Sequence, residues 1–239
     1  MIQIAPSLLA ADFLNLGDAV RMVNSYADLY HLDVMDGVFV PNISYGFPVI
    51  QAISAKATKP MDVHLMITDP IKYAARFARI PHVGMVSFHL DAAEDPAAVL
   101  TEIKAEGCKA GLVINPDIAV ERLYPYLPLC DFVLIMGVFA GFGGQKFIEE
   151  TVDRVAQLKC KADELGLENL EIEVDGGVSP SNSAALIKAG ATILVAGTAV
   201  FKAESPAEVI SAMKSLEARI RCVEFRHPAI SETYDWKNA

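Results

Sequence analysis

Two imidazoles and two carboxylates stand out along the 239-residue chain for their type and spacing. His31 and Asp33 are two apart in the run His31-Leu32-Asp33-Val34-Met35-Asp36-Gly37, so on a strand they point to the same side. His64 lies in Asp62-Val63-His64-Leu65-Met66, and Asp175 ends Glu173-Val174-Asp175 just before Gly176 and Gly177. Converging in one cavity, these four groups suit one divalent transition metal: Zn, Fe, Mn or Co. Facing carboxylates with histidines beside them are also what acid–base catalysis needs, which makes Asp33 and Asp175 candidate proton carriers. Alternation sends Asp36 elsewhere, and it reads as a turn or capping residue.

Three glycine-bearing loops suggest an anion. Gly141, Gly143 and Gly144 follow one apolar run, Gly176 and Gly177 a second, and Gly197 with Thr198 a third. Glycine lets backbone N–H groups approach a phosphate closely, and three such loops together predict phosphate binding. Met35, Met66 and Met136 end apolar runs on the same side and form an expected apolar lid that keeps water from a reactive intermediate.

Short Val/Ile/Leu-rich runs alternate with longer segments of helical period, the pattern of repeated βα units. Eight strands are predicted, over 2–6, 28–35, 61–66, 83–89, 109–114, 132–137, 170–175 and 192–197. Asp69-Pro70, Asp95-Pro96, Ser179-Pro180 and Ser205-Pro206 each place a capping residue before a proline suited to the first helical position, and Glu208 completes a capping box with Ser205. Gly107, Gly166 and Gly190 are expected as left-handed caps where helices hand over to strands. Eight parallel strands close most simply as a single (β/α)8 TIM barrel, whose sites lie at the C-terminal strand ends. Ser7, His31, Asp33, His64, His89, Asn115 and Asp175 all fall there.

A hydrophobic fraction of 53% with 21% charged residues describes a globular chain with a large core. The expected domains are a barrel over 1–221 and a C-terminal tail over 222–239, packed or partly disordered. A net charge of -10 argues against a nucleic acid partner. No apolar run approaches a membrane span, and the four scattered cysteines fit a reducing compartment, so the cytoplasm is the default expectation.

Several motifs in order resemble the ribulose-phosphate 3-epimerase family. They are Pro6-Ser7-Leu8-Leu9-Ala10-Ala11-Asp12-Phe13, the run from His31 to Gly37 followed by Phe39-Val40-Pro41-Asn42, Asp62 to Met66, Gly141 to Phe147, and Glu173 to Gly177. The likeness extends from Ile4 to about Ile220. It implies a ribulose-phosphate-binding barrel that epimerises a ketose phosphate at C3, with His31, Asp33, His64 and Asp175 on the metal and Asp33 and Asp175 as its two bases. Ser7 and His64 would touch the sugar, and the glycine loops would grip its phosphate. A metal at the C2 and C3 oxygens would stabilise the cis-enediolate left by proton loss. The implied partner is a small sugar phosphate, with no membrane, and the chain is expected as a homo-oligomer, dimer or hexamer.

The substrate branch is open between two sugars. Ser25-Tyr26-Ala27-Asp28, Ala57-Thr58-Lys59-Pro60, the segment 168–173 and Thr198 resemble the allulose 6-phosphate branch, towards which the reading leans. Gly143-Gly144-Gln145 and Gly176-Gly177 favour ribulose 5-phosphate to xylulose 5-phosphate. Val138-Phe139-Ala140 replaces the family's usual polar residue and proline, and Phe88-His89-Leu90-Asp91 stands where a glutamate is common. A phosphosugar-binding barrel without turnover is the remote alternative. All four metal candidates being present argues against it, and no strand-end lysine beside Asp33 or Asp175 suggests a decarboxylase.

Overall fold

A computed structural model of the chain describes residues 2–226. Eight parallel strands form its centre: β1 Gln3–Ala5, β2 Tyr30–Met35, β3 Met61–Met66, β4 Val83–His89, β5 Lys109–Ile114, β6 Phe132–Met136, β7 Glu171–Asp175 and β8 Ile193–Val195. Their order is β1-β8-β7-β6-β5-β4-β3-β2. The last seam closes by a parallel bridge between Ser7 and His31 and by the His31 N–H donating to the Pro6 carbonyl at 3.2 Å, so the fold is a TIM barrel. Every expected strand is present, three with the expected bounds and the others shorter by one or two residues at one or both ends.

Between the strands lie α1 Leu16–Tyr26, α2 Phe47–Ser54, α3 Ala74–Ala78, α4 Pro96–Ala105, α5 Thr151–Glu164, α6 Pro180–Ala189, α7 Thr198–Phe201 and α8 Pro206–Arg226. Asp95 caps α4 as expected, its carboxylate accepting from the Ala98 N–H at 3.1 Å. At α6 the Asn182 side chain accepts from the Ser179 N–H. Asp69 does not cap: it sits in the left-handed region at φ 59° ahead of a single 3-10 turn, Pro70–Lys72, and the helix proper starts only at α3. Pro125 and Pro128 impose a 3-10 course on Val120–Leu129, since proline leaves an α-helical carbonyl unpaired. Gly107, Gly166 and Gly190 all have positive φ, as their helix-stop positions require. α8 continues through Arg226, past the boundary expected at 221, and residues 227–239 of the expected tail lie outside the described residues.

The principal core lies between the outer faces of the strands and the helices, with Leu32, Val63, Val86, Leu112, Val133 and Val174 facing Val23, Ile50, Phe77, Leu100 and Leu158. A second cluster of Ala5, Met85, Phe132, Ile193 and Val195 fills part of the barrel interior. Gly111 makes room for the Phe132 ring, because a Cβ there would come within 2.6 Å of three ring atoms. Two smooth registers carry the site side chains into the barrel: β2 against β3 sets His31 opposite Asp62 and Asp33 opposite His64, and β6 against β7 sets Met136 opposite Asp175.

Candidate active site

β2, β3 and β7 bring the four expected residues together. His31 Nε2 lies 3.5 Å from Asp33 Oδ1 and 3.8 Å from Asp175 Oδ2, and His64 Nδ1 lies 3.6 and 3.9 Å from the same two oxygens. All four distances exceed a hydrogen bond, so the atoms surround a common centre without bonding across it. His31 Nε2 and His64 Nδ1 are buried and have no hydrogen-bond partner among the described residues. Unpaired buried nitrogens facing two carboxylates fit a cation, which would satisfy all four at once.

Asp33, His31 and His64 are each held from behind. Ser7 donates to Asp33 Oδ2 at 2.5 Å, and Ser44 bridges the Asp33 carbonyl and the Met35 N–H. His31 Nδ1 lies 2.5 Å from Asp62 Oδ2, with Glu173 Oε1 at 3.4 Å. His64 Nε2 lies 3.0 Å from His89 Nε2. Asp62 and Glu173 are not among the expected site residues, and His89 is expected only as one of the strand-end polar residues, with no role. The available signal was spacing: Asp62 and Glu173 each sit two residues before an expected ligand and therefore share its side of the strand.

The electrostatics split the two aspartates. Burial alone would raise Asp33, but His31 and His64 outweigh it and hold its carboxyl well below the usual range. Burial, reinforced by the charge of Asp33, pushes Asp175 up to about 6. Burial and the neighbouring Asp62 drive Glu173 well above the usual carboxyl range. His31 is raised despite its burial, because Asp33 and Asp62 favour its charged form. His89 is lowered by burial and by His64.

A cavity of about 230 Å³ opens above this cluster. Asp33 and Asp175 line it, as do Ser7, Met35, Met66 and Met136. So do Gly141, Gly143, Gly144, Gly176, Gly177, Gly197 and Thr198, so all three glycine loops meet at one mouth. Gly177 has φ 67°, and a Cβ there would lie 2.7 Å from the Phe147 backbone, so only glycine fits. His64, expected to touch the sugar, is fully buried and does not line the cavity; it faces the aspartates instead. Asp36 is the turn residue expected, and its carboxylate accepts from Val38, Phe39 and also Thr68, which ties the loop after β2 to the loop after β3. Phe139 also lines the mouth, half-exposed, in a loop clamped by Gln145 donating to the Phe139 and Phe142 carbonyls.

The family model for the ribulose-phosphate 3-epimerase family matches residues 3–201. A curated ribulose-phosphate 3-epimerase from Synechocystis sp. is 43% identical over 217 residues, covering 90% of this chain and 94% of the relative. One from Bacillus subtilis is 41% identical over 215 residues, covering 90% and 99%. Among solved structures, KGPDC from Streptococcus mutans superposes with a TM-score of 0.68 at 13% identity over 92% of this chain and 99% of that one, a likeness of fold. The lean towards allulose 6-phosphate gains nothing from these relatives, and the curated names carry ribulose phosphate. The short segments behind that lean lie mostly away from the cavity; only Thr198 lines it.

Proposed function

The chain belongs to the ribulose-phosphate 3-epimerase family, and on that premise we propose that it interconverts D-ribulose 5-phosphate and D-xylulose 5-phosphate. The observation that carries the proposal is the meeting of Asp33 and Asp175 at one cavity floor, with opposite protonation tendencies. Inverting a carbon centre requires a proton to leave one face and another to arrive on the other. An ionised Asp33 takes the C3 proton from one face, and a protonated Asp175 delivers its own to the other; the reverse reaction exchanges the parts.

His31, Asp33, His64 and Asp175 are the residues that hold a divalent metal in this reading, supported by the two unpaired buried nitrogens. When bound, it supplies positive charge that stabilises the negative charge developing on the sugar oxygens. Ser7 keeps the Asp33 carboxylate in one orientation. The three methionines present an apolar wall that limits water at the reacting carbon. The glycine loops and Thr198 take the phosphate, which fixes C3 between the two aspartates.

A side-by-side measurement of catalytic efficiency on ribulose 5-phosphate and allulose 6-phosphate tests the substrate. The pentulose is expected to be preferred; a clear preference for the hexulose would overturn the assignment.

A further inference from the structure

His89 is unused by the mechanism above, yet it is fully buried against one of the metal-facing imidazoles. Its ring meets that of His64 edge to edge and nearly coplanar, with centroids 5.1 Å apart at 22°, and Phe39 packs against it at 4.9 Å. The two Nε2 atoms are 3.0 Å apart, a hydrogen-bond distance. Such a contact between imidazoles holds only if one nitrogen carries a proton and the other a lone pair. The two possible arrangements have opposite consequences for the site. If His89 donates, the proton of neutral His64 sits on Nδ1, facing Asp33 and Asp175, and no lone pair is left for a metal. If His64 donates, its Nδ1 is bare.

We propose that His89 is a positioning residue that accepts the Nε2 proton of His64 and so fixes the tautomer in which His64 Nδ1 offers its lone pair to a cation. The proposal rests on the reading that His31, Asp33, His64 and Asp175 hold a divalent metal. Two observations favour this direction of the bond. His64 Nδ1 stays 3.6 and 3.9 Å from the carboxylate oxygens, too far for an N–H that was donating to either. His31 follows the same plan: its Nδ1 lies 2.5 Å from Asp62 Oδ2, a carboxylate partner that favours a proton on Nδ1, so in the neutral ring Nε2 presents its lone pair towards the same centre. Each facing imidazole is thus anchored through its far nitrogen, one by a carboxylate and the other by a neutral imidazole.

The test uses nitrogen-labelled protein, with and without zinc, and the variants His89→Phe and His89→Gln. Phenylalanine keeps an aromatic ring against Phe39 but removes the acceptor; glutamine retains an acceptor oxygen. In the wild type the spectra should show a proton on His64 Nε2 with coupling across to His89 Nε2, in both forms. Zinc affinity should fall roughly 10–100-fold in H89F and largely return in H89Q. A proton found on His89 Nε2, or a folded H89F binding zinc as tightly as the wild type, would overturn the proposal. Should H89F not fold, the wild-type coupling and the H89Q affinity decide it. If zinc fails to bind the wild type, the metal reading falls, and the zinc-free spectrum still decides the tautomer.

Discussion

Ser7 reaches across the closing seam of the barrel to place its hydroxyl 2.5 Å from Asp33 Oδ2. The bond joins the loop after β1 to the end of β2 and stabilises the ionised form of one proposed base. A hydrogen bond to a charged group is worth about 1.5–3 kcal/mol. Ser7→Ala is therefore expected to lower kcat/KM by roughly 10–100-fold. Removing the donor also raises the Asp33 pKa, so the acid limb of the kcat/KM profile should shift to higher pH. Ser7→Thr, which keeps a hydroxyl, should recover much of the loss; wild-type rates for Ser7→Ala would remove the serine from the account.

Asp33→Asn and Asp175→Asn each keep the shape of the side chain and lose its basicity. Each is expected to cut epimerisation by about 10²–10⁴-fold, the usual contribution of a positioned acid or base, with circular dichroism of the fold unchanged. Wild-type turnover by either variant would contradict the assignment.

Chelation should remove activity reversibly, and readdition of a divalent transition metal should restore it. The same metal should stabilise the fold, because it binds only the assembled cluster of His31, Asp33, His64 and Asp175. At a hundredfold excess over Kd the gain is about 2.7 kcal/mol. For a chain of this size that raises Tm by roughly 5–10 °C. An unchanged melting curve under those conditions would speak against a metal at the cluster.

Gly177→Ala forces a side chain into a backbone of φ 67° and against Phe147. The strain is worth about 1–3 kcal/mol. Because the loop lines the proposed phosphate end of the cavity, KM should rise more than kcat falls. Equal loss in both would move this loop out of phosphate recognition.

Asp36 gives a pH signature away from the metal cluster. Burial alone would raise its pKa, but donation from Thr68, Val38 and Phe39 outweighs this and holds it below the ordinary 3.8. A depressed carboxyl stabilises the fold above its unfolded pKa, and that contribution is lost as pH falls through the folded value. The backbone resonances of Val38, Phe39 and Thr68 should therefore titrate together with a midpoint below 3.8. A midpoint at or above that value would mean that the tie between the two loops does not hold in solution.

The strands were legible because each buried run is short, apolar and bounded by turn residues, and His31 with Asp33 was legible because strand alternation alone puts both on one side. What linked them to Asp62 and His89 was not, since those contacts depend on the register between neighbouring strands and on ring orientation, neither of which spacing reveals. Asp69-Pro70 misled for a similar reason: the dipeptide signals a helix start, but the left-handed turn at Asp69 yields only a 3-10 turn before the helix proper. Short similarities scattered over 25–28, 57–60 and 168–173 suggested the six-carbon sugar, yet no residue of these segments lines the cavity, so they carry little about substrate.

The central claim, that Asp33 and Asp175 work on opposite faces of C3, is tested most directly by a single turnover of ribulose 5-phosphate in D2O. A proton removed by one carboxylate and replaced from the other predicts xylulose 5-phosphate carrying deuterium at C3, with unreacted substrate still carrying protium. Product that retains the original C3 hydrogen would contradict it.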